Sequence, residues 1–265
     1  MTKLAWLTDI HLNFVPPNRF GDLMGAILSH EPDVVVISGD IGESSTTVYY
    51  LQRMAQRLQK PIYFVLGNHD FYRGSFETVN ANIRVACGQN PGLVWLNDAG
   101  VVELAPGVAL IGHDSWADGR LGDYETSEVM LNDYVLIDEF ADLDKVARLH
   151  LLNQRGDVAA EYFNQLLPQA LADYDMVYLV THVPPFAQSC VYEGQPTNAD
   201  HLPHFACKAV GDVLIEMMQA HPQKQLIVLC GHTHYAARVE ILPNLLAITG
   251  AAEYGKPRVE DVFVL

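Results

Sequence analysis

Acidic, amide and imidazole side chains follow the apolar runs of this sequence in a repeated pattern. Five runs have the composition of buried strands, and an Asp, Asn or His follows each one within a few residues: KLAWLT, VVVIS, IYFVL, MVYLVT and LIVLC. The candidate metal ligands share this position, and they are Asp9, His11, Asp40, Asn68, His182, His232 and His234. Imidazole nitrogen combined with carboxylate or amide oxygen, without thiolate, suits Mn, Fe or Zn.

The number of candidates indicates how many ions they could hold. Seven ligands are too many for one tetrahedral ion, but they suit two divalent ions that share a carboxylate. His232 and His234 lie one residue apart, so their side chains point in different directions on an extended segment. They can therefore serve two neighbouring ions. The pattern predicts a centre of two divalent metal ions.

Each cluster taken alone has a simpler structural interpretation. An Asp-x-His or Gly-His pair at a strand end is more often a turn or a cap than a ligand. Asp40 could cap the following helix, and Asn68 could form an Asx-turn before His69. Five clusters in order favour the metal site, because closely packed acids without a cation would repel one another.

The elements between the clusters predict how these side chains are brought together. The first half alternates β-branched runs with helical patterns near 20–29 and 46–59, which indicates parallel strands joined by right-handed crossovers. Ligands of open α/β sheets bind outside the carboxyl ends of the strands, so the clusters are expected at one edge. Glycines before Asp40, Asn68 and His232 would allow sharp turns or close approach to an ion.

The remaining segments predict further elements. Ser75 has the sequence context of a helix N-cap, and 93–111 is expected to form short strands in hairpins. The segment 112–153 is predicted to be irregular, and helical patterns occupy 158–171 and 208–220. The tail segments ARVEIL, LLAIT and VEDVFVL are predicted to be antiparallel strands that close a sheet.

The composition predicts a globular protein with an acidic surface. The 265 residues are 49% apolar and 18% charged, and the absence of repeats or linkers predicts one domain over 1–265. The net charge of −16 disfavours binding to nucleic-acid polymers and anionic lipid. A cytoplasmic protein is expected, because no secretory signal pattern or membrane-length apolar run is present. The four irregularly spaced cysteines are expected to be free thiols.

The ordered motifs D-x-H, G-D, G-N-H-D, H and G-H-x-H together resemble those of the calcineurin-like metallophosphoesterase superfamily across the whole chain. This resemblance implies an α/β fold, a four-layer αββα sandwich with two mixed β-sheets flanked by helices and a metal site at the carboxyl ends of the strands. It also implies that Asp40 bridges the ions. The resemblance assigns the first ion to Asp9, His11, Asp40 and His234, and the second to Asp40, Asn68, His182 and His232.

The same resemblance implies catalytic roles for two residues of the G-N-H-D motif. His69 would lie near the scissile oxygen, where it protonates the leaving group or stabilises charge, and Asp70 would orient its ring. Imidazole titrates near neutral pH and therefore suits such proton transfer. The alternative is a structural histidine behind the metal ligands.

The predicted function is a metal-dependent hydrolase of phosphoric esters, in which a metal-activated water attacks a small phosphomonoester or phosphodiester. The arginines that flank the G-D and G-N-H motifs in protein phosphatases of the superfamily are missing, so the pattern looks more like bacterial phosphohydrolases and class III cyclic nucleotide phosphodiesterases. The net charge disfavours a nuclease, and the complete motif set disfavours a non-catalytic scaffold. The sequence does not distinguish a phosphomonoester from a phosphodiester substrate. It also does not identify the metal or the oligomeric state.

Three loops are candidates for selecting the substrate, and they are 71–73, 113–124 and 183–204. Trp116 or Tyr124 could stack on a base, and Arg73 or Arg120 could bind a phosphate. The alternatives are aromatic packing in the interior and ion pairing of the arginines at the surface. His204 in the third loop is expected to be a polar surface residue rather than a ligand of a third ion.

Overall fold

The computed structural model describes residues 1 to 265 and contains two large β-sheets and one small hairpin. The first sheet contains β1 (Lys3–Leu7), β2 (Val34–Ser38), β3 (Ile62–Val65), β4 (Leu93–Trp95) and β13 (Asp261–Val264), in the order β13-β1-β2-β3-β4. The second contains β5 (Val102–Ala105), β6 (Val108–Gly112), β7 (Met176–Val180), β10 (Gln225–Cys230), β11 (Ala237–Leu242) and β12 (Leu245–Thr249), in the order β11-β12-β10-β7-β6-β5. The hairpin pairs β8 (Val191–Tyr192) with β9 (Gln195–Pro196).

Eight α-helices complete the structure. They are α1 (Pro17–Ser29), α2 (Thr47–Leu58), α3 (Phe76–Gln89), α4 (Leu96–Ala99), α5 (Asp133–Leu136), α6 (Lys145–Asp173), α7 (Leu202–Phe205) and α8 (Lys208–Ala220). The side chain of Ser75 accepts a hydrogen bond from the backbone N–H of Thr78, which confirms the predicted N-cap of α3. None of these helices has both the length and the apolar character required to span a membrane.

The strands are buried on both faces because helices cover the outer face of each sheet. In β2, Val34 and Val36 pack between the two sheets, whereas Val35 and Ile37 pack beneath α1, α2 and α3. The side chains of β7 alternate in the same way between the intersheet layer and helices α6 and α8. This alternation produces helix, sheet, sheet and helix layers, so the predicted αββα sandwich is confirmed.

Parallel pairing dominates the centre of each sheet and antiparallel pairing occurs at its edges. Strands β1, β2, β3 and β4 pair in parallel, as predicted for the first half of the chain. In the second sheet, β6, β7, β10 and β12 are parallel, and β5 forms the predicted antiparallel hairpin with β6. The loops that carry the candidate ligands follow the carboxyl ends of β1, β2, β3, β7 and β10.

Helix α6 begins earlier than the sequence pattern indicates. The prediction of irregular structure up to 153 is wrong from Lys145 onward, because Asp144 caps the helix by accepting a hydrogen bond from the backbone N–H of Ala147 at 2.8 Å. Only Arg148 and Leu152 are buried in the first turns. The periodic apolar stripe that identifies a helix is therefore absent there.

The tail of the chain divides between the two sheets. Strands β11 and β12 pair antiparallel at the edge of the second sheet, and β12 also pairs in parallel with β10. Strand β13 instead pairs antiparallel with β1 in the first sheet. The prediction that the tail closes one sheet is therefore wrong, because the segment 250–260 crosses from one sheet to the other.

Asp114, directly after β6, links the two sheets close to the candidate ligands. Its Oδ1 atom accepts hydrogen bonds from the backbone N–H of Leu66 at 2.6 Å and from the indole of Trp95 at 2.9 Å. Its backbone carbonyl accepts a hydrogen bond from the N–H of His182 at 3.1 Å. Burial raises the pKa of Asp114 to about 7, against the opposing effect of the hydrogen bond from Leu66.

Replacing Asp114 with Asn should flatten the pH dependence of stability. Because folding raises the pKa of this carboxyl from 3.8 to about 7, its contribution is fully present below pH 3.8 and is lost as pH rises through about 7. Urea unfolding should show the wild type losing on the order of 1–3 kcal/mol relative to Asp114→Asn between about pH 5 and about pH 8. Asp173→Asn, at an exposed position, is the control. If the free energies of unfolding of the wild type and Asp114→Asn differ by the same amount at both pH values, the raised pKa of Asp114 is contradicted.

Candidate metal centre

Four of the seven predicted ligands form one cluster at the edge of the sheets, and their ligand atoms lie within 4.8 Å of one another: Asp9, His11, Asp40 and His234. The Nε2 atom of His11 lies 3.1 Å from Nε2 of His234 and 3.6 Å from Oδ2 of Asp40. The Oδ1 atom of Asp9 lies 3.4 Å from Nε2 of His234. Two carboxylates and two imidazoles therefore converge on one point.

The other three predicted ligands form a second cluster beside the first. The Oδ1 atom of Asn68 lies 2.9 Å from Nε2 of His182 and 3.1 Å from Nδ1 of His232. Asp40 belongs to both clusters, because its Oδ1 atom lies 3.5 Å from Nε2 of His182 while Oδ2 faces His11. The structure brings all seven residues together in two groups that share one carboxylate.

The charges and lone pairs of the first cluster fit a divalent cation. Asp9 and Asp40 are buried near one another, and burial together with the charge of Asp9 raises the pKa of Asp40 well above its usual range. Burial also lowers the pKa of His11 to about 2, so its ring is neutral and retains a lone pair. A cation between these groups would offset the repulsion of the carboxylates and accept the lone pairs of the rings.

Hydrogen bonds on the far side of two rings direct their ligand atoms. The Nδ1 atom of His182 lies 2.9 Å from the carbonyl oxygen of Ser38, and Nε2 of His232 lies 3.3 Å from the carbonyl oxygen of His204. A carbonyl oxygen only accepts, so each ring donates there, and its other nitrogen faces the amide oxygen of Asn68. A cation between these atoms would accept lone pairs from the amide oxygen and from the two rings.

Asp133 on α5 fixes the amide of Asn68, and sequence reasoning missed it. Its Oδ1 atom accepts hydrogen bonds from Nδ2 of Asn68 at 2.8 Å and from the hydroxyl of Tyr72 at 2.7 Å. These contacts turn Oδ1 of Asn68 toward His182 and His232. Asp133 lies in a segment without regular periodicity and far from Asn68 in sequence, so no local signal identifies it.

The backbone of most candidate ligands adopts the left-handed conformation. Five of them have positive φ angles: Asp9 (46°), His11 (39°), Asp40 (54°), His232 (69°) and His234 (60°). Residues with a Cβ atom rarely adopt this conformation, which must be held by surrounding contacts. The N–H of Asp9 donates to Gly39 O at 3.1 Å and that of His11 to Asp40 O at 2.9 Å. Strain concentrated at ligating positions is typical of a functional site.

Glycines beside the ligands leave space for the carboxylates. A Cβ atom at Gly67 would lie 2.2 Å from Oδ1 of Asp40, and one at Gly231 would lie 2.0 Å from Oδ2 of Asp9. Gly39, with φ of 93°, provides the predicted sharp turn. The other two glycines act mainly through close approach to a ligand side chain.

His69 lies at the mouth of the site. Its backbone N–H donates to Oδ1 of Asp40 at 2.9 Å, and its Nε2 atom lies 3.4 Å from the hydroxyl of Tyr254. Its Nδ1 atom is buried without a hydrogen-bond partner. Burial, followed by the charge of His182, lowers the pKa of His69 to about 3. Tyr254 comes from the loop after β12, and no sequence motif identifies it.

Asp70 has a different role from the one predicted. The buried carboxylate accepts hydrogen bonds from the backbone N–H groups of Ile41, Gly42 and Gly67 and from the hydroxyl of Thr47, at 2.7 to 3.1 Å. It makes no hydrogen bond to the ring of His69, so the prediction that it orients this ring is wrong. Asp70 instead joins the loop after β2 to the loop after β3.

The loop 113–124 does not line the site. Trp116 packs in the interior with ring centroid distances of 5.2 to 5.8 Å to neighbouring phenylalanines. Arg120 pairs with Asp118 at 3.2 Å, and the hydroxyl of Tyr124 donates to the carbonyl of Lys145 at 3.1 Å. The prediction that this loop selects the substrate is therefore wrong, and the alternatives of packing and ion pairing hold.

The remaining candidates have specific partners. Arg73 forms an ion pair with Glu43. His204 is buried, with its Nδ1 atom 2.5 Å from the hydroxyl of Tyr134 and its Nε2 atom 3.1 Å from that of Ser127, so the prediction of a surface residue is wrong. All four cysteines are free, as predicted.

Comparison with known proteins identifies one family model. The model described as calcineurin-like phosphoesterase matches residues 2–236. No curated protein matches the sequence. The matched segment contains every predicted ligand, whereas Tyr254 lies beyond it.

Several solved structures share the fold at low sequence identity. A phosphopantetheinyl hydrolase from Mycobacterium tuberculosis has a TM-score of 0.65 at 15% identity, with 96% of this chain and 90% of that chain covered. A dimetal phosphatase from Danio rerio has a TM-score of 0.58 at 13% identity, with 94% and 87% covered. The protein TT1561 of Thermus thermophilus has a TM-score of 0.56 at 12% identity, with 94% and 89% covered.

Adding a methyl group at Gly67 should weaken metal binding. The new Cβ atom would meet the carboxylate of Asp40 and displace it, so Gly67→Ala is expected to lower Mn²⁺ affinity about 10- to 100-fold in calorimetric titration. Gly88→Ala on α3 is the matched control, because nothing lies within 4 Å of its Cβ position. The control should keep the affinity and gain about 0.4–1 kcal/mol of stability. Equal affinities in the two variants contradict this account.

Removing the carboxylate of Asp133 should loosen Asn68. Asp133→Ala leaves the amide of Asn68 held only through the hydroxyl of Tyr72, so Mn²⁺ affinity should fall about 10- to 100-fold. Asp133→Asn retains an acceptor oxygen and should recover part of the loss. Asp138→Ala, an exposed position nearby, controls for the loss of charge. If the Asp133→Ala and Asp138→Ala variants bind Mn²⁺ alike, Asp133 does not position the ligand.

Proposed function

The chain belongs to the calcineurin-like phosphoesterase family, and from this premise we propose that it hydrolyses small phosphoric esters at a centre of two divalent metal ions. The observation that supports this most directly is the pair of ligand clusters that share the carboxylate of Asp40. Its two oxygens face imidazoles of different clusters, as a bridging ligand requires. The left-handed backbone of most ligand residues adds independent support.

Two ligand sets follow from the distances in the two clusters. The first ion would be held by Asp9, His11, Asp40 and His234, and the second by Asp40, Asn68, His182 and His232. Oxygen and imidazole ligands suit Mn, Fe or Zn. When bound, such ions polarise phosphoryl oxygens and lower the pKa of water, which makes hydrolysis possible without a protein nucleophile.

His69 is the proposed hydrogen-bond donor to the leaving group. Its Nε2 atom faces the open side of the site beside the hydroxyl of Tyr254. Burial keeps the ring neutral, so Nε2 can carry a proton and donate a hydrogen bond to the oxygen of the leaving group. The ring of Tyr72, tilted by 31° with its centroid 4.2 Å away, packs against the imidazole and holds it in place.

The cysteines do not compete as nucleophiles. Burial raises the pKa of all four cysteines, that of Cys207 and Cys230 to about 12, so they remain thiols at neutral pH. None of them lines the cavity over the ligand clusters. This supports hydrolysis by water rather than through a covalent intermediate on sulfur.

The names of two proteins that share this fold support the reaction class. One solved structure with this fold is a dimetal phosphatase, and another is a phosphopantetheinyl hydrolase. The first name describes phosphoester hydrolysis at two metals and the second describes hydrolysis of a phosphate-containing group, and both agree with the chemistry proposed from the ligand set. An activity screen should therefore include phosphomonoesters and phosphodiesters, a phosphopantetheine ester among them.

Substitution of Asp40 and His69 should separate metal binding from catalysis. Asp40→Asn removes the shared negative charge and is expected to lower metal content and to reduce hydrolysis of p-nitrophenyl esters about 1,000-fold or more. His69→Gln should retain the metals and lower kcat about 100-fold. Metal content is measured by mass spectrometry on the same samples, with exposed Asp138→Asn as the control. Unchanged turnover in both variants refutes the mechanism, and bound metal without turnover in the wild type supports a scaffold.

A further inference from the structure

A second cavity lies beside the metal centre, beneath the β8–β9 hairpin. Its volume is about 480 Å³, and its walls come from the hairpin, the following loop, α7 and the segment after β10. The lining residues that matter here are Tyr192, Gln195, Thr197, Asn198, Phe205 and Thr233. We refer to this space as the hairpin cavity.

The hairpin cavity is continuous with the space over the candidate ligands. Four residues line both, and they are Tyr192, His201, Phe205 and Thr233. The ring of Phe205 packs against that of His232, with centroids 4.8 Å apart. A group bound in the hairpin cavity would therefore lie next to the second ligand cluster.

The lining of both cavities limits the charge of the occupant. Neither cavity is lined by lysine or arginine, and Arg73, the arginine closest in sequence to the G-N-H-D motif, is paired with Glu43. The hairpin cavity presents the amides of Gln195 and Asn198, a hydroxyl and aromatic faces, together with the carboxylate of Glu193. This chemistry suits an uncharged group that forms hydrogen bonds and stacks, and it disfavours a second anion.

The position of His69 indicates which part of a substrate the hairpin cavity would hold. His69 lines the space over the ligands but not the hairpin cavity. If His69 serves the leaving group, the hairpin cavity is available for a group that stays on phosphorus. A phosphomonoester has no such group, whereas a phosphodiester has one and carries only a single negative charge.

We propose that the preferred substrate is a phosphodiester whose retained alcohol is uncharged and occupies the hairpin cavity. In the reaction, the oxygen of water bonds to phosphorus and the bond from phosphorus to the leaving alcohol breaks. The leaving alkoxide takes up the proton that the attacking water loses, and the other product is the monoester of the retained alcohol. This inference rests on the proposed function and specifies its substrate class.

The test compares two esters that share the p-nitrophenolate leaving group. One is p-nitrophenyl phosphate and the other is the p-nitrophenyl ester of thymidine 5′-phosphate, whose retained nucleoside is uncharged. The Mn²⁺-loaded wild type should have a kcat/KM about tenfold or more higher for the diester. Thr197→Trp fills the hairpin cavity, and Gln195→Ala removes an amide from it.

Thr197→Trp should lower kcat/KM for the diester about tenfold or more and leave that for the monoester within about twofold. Val85→Trp, at an exposed position of α3, is the matched control. Saturation-transfer NMR without metal should detect binding of thymidine alone to the wild type. The same experiment should detect no binding to Thr197→Trp. This readout does not depend on turnover.

The outcomes separate the two proposals. If the wild type hydrolyses neither ester when loaded with Mn, Fe or Zn, the proposed function fails and the inference fails with it. If the wild type is active but Thr197→Trp lowers kcat/KM equally for both esters, the inference alone is overturned. Preference for the monoester, or thymidine binding that persists in Thr197→Trp, also overturns it.

Discussion

The Asp40 carboxylate is buried between two groups of imidazoles. The arrangement of both ligand clusters follows from this burial. One oxygen accepts the backbone N–H of His69 and faces His182, while the other faces His11. With Asp9 close by, this places two carboxylates almost fully out of contact with bulk solvent, where their repulsion is strong. The protein can hold them there because the loops start from strands buried on both faces, and a bound cation would relieve the repulsion.

The same constraint explains the unusual backbone of the ligand residues. Side chains that leave five strand ends must turn back toward a common point within one or two residues. The left-handed conformation at Asp9, Asp40 and His232 achieves this turn, although it is unfavourable for residues with a Cβ atom. The rigid sandwich and the carboxylate of Asp70, which joins two of the loops, maintain the strained geometry. The strain thus preorganises the ligand positions for metal binding.

Sequence reasoning identified the parts of the site that carry a local signal. A ligand directly after an apolar run, such as Asp40 after β2, is recognisable because strand and motif are adjacent. Asp133 and Tyr254 come from irregular segments, and only the tertiary structure places them beside Asn68 and His69. The role of Asp70 was misjudged for the same reason, because neighbours in sequence need not be hydrogen-bonded. The start of α6 was missed because its first turns lack an apolar face.

The charges around the ligand clusters determine how binding of an anionic ester would depend on bound metal. The protein has a net charge of −16, and no lysine or arginine lines the space over the ligand clusters. An anionic ester approaching this edge is therefore repelled by the protein alone, and only the bound ions can reverse the local potential. Binding of metal and of a phosphate ester at this site would thus be linked, since each ion lost would weaken the attraction for the ester. A substrate with a single negative charge, held also through an uncharged group, depends less on the ions than a dianion does, because contacts with the protein supply part of its affinity.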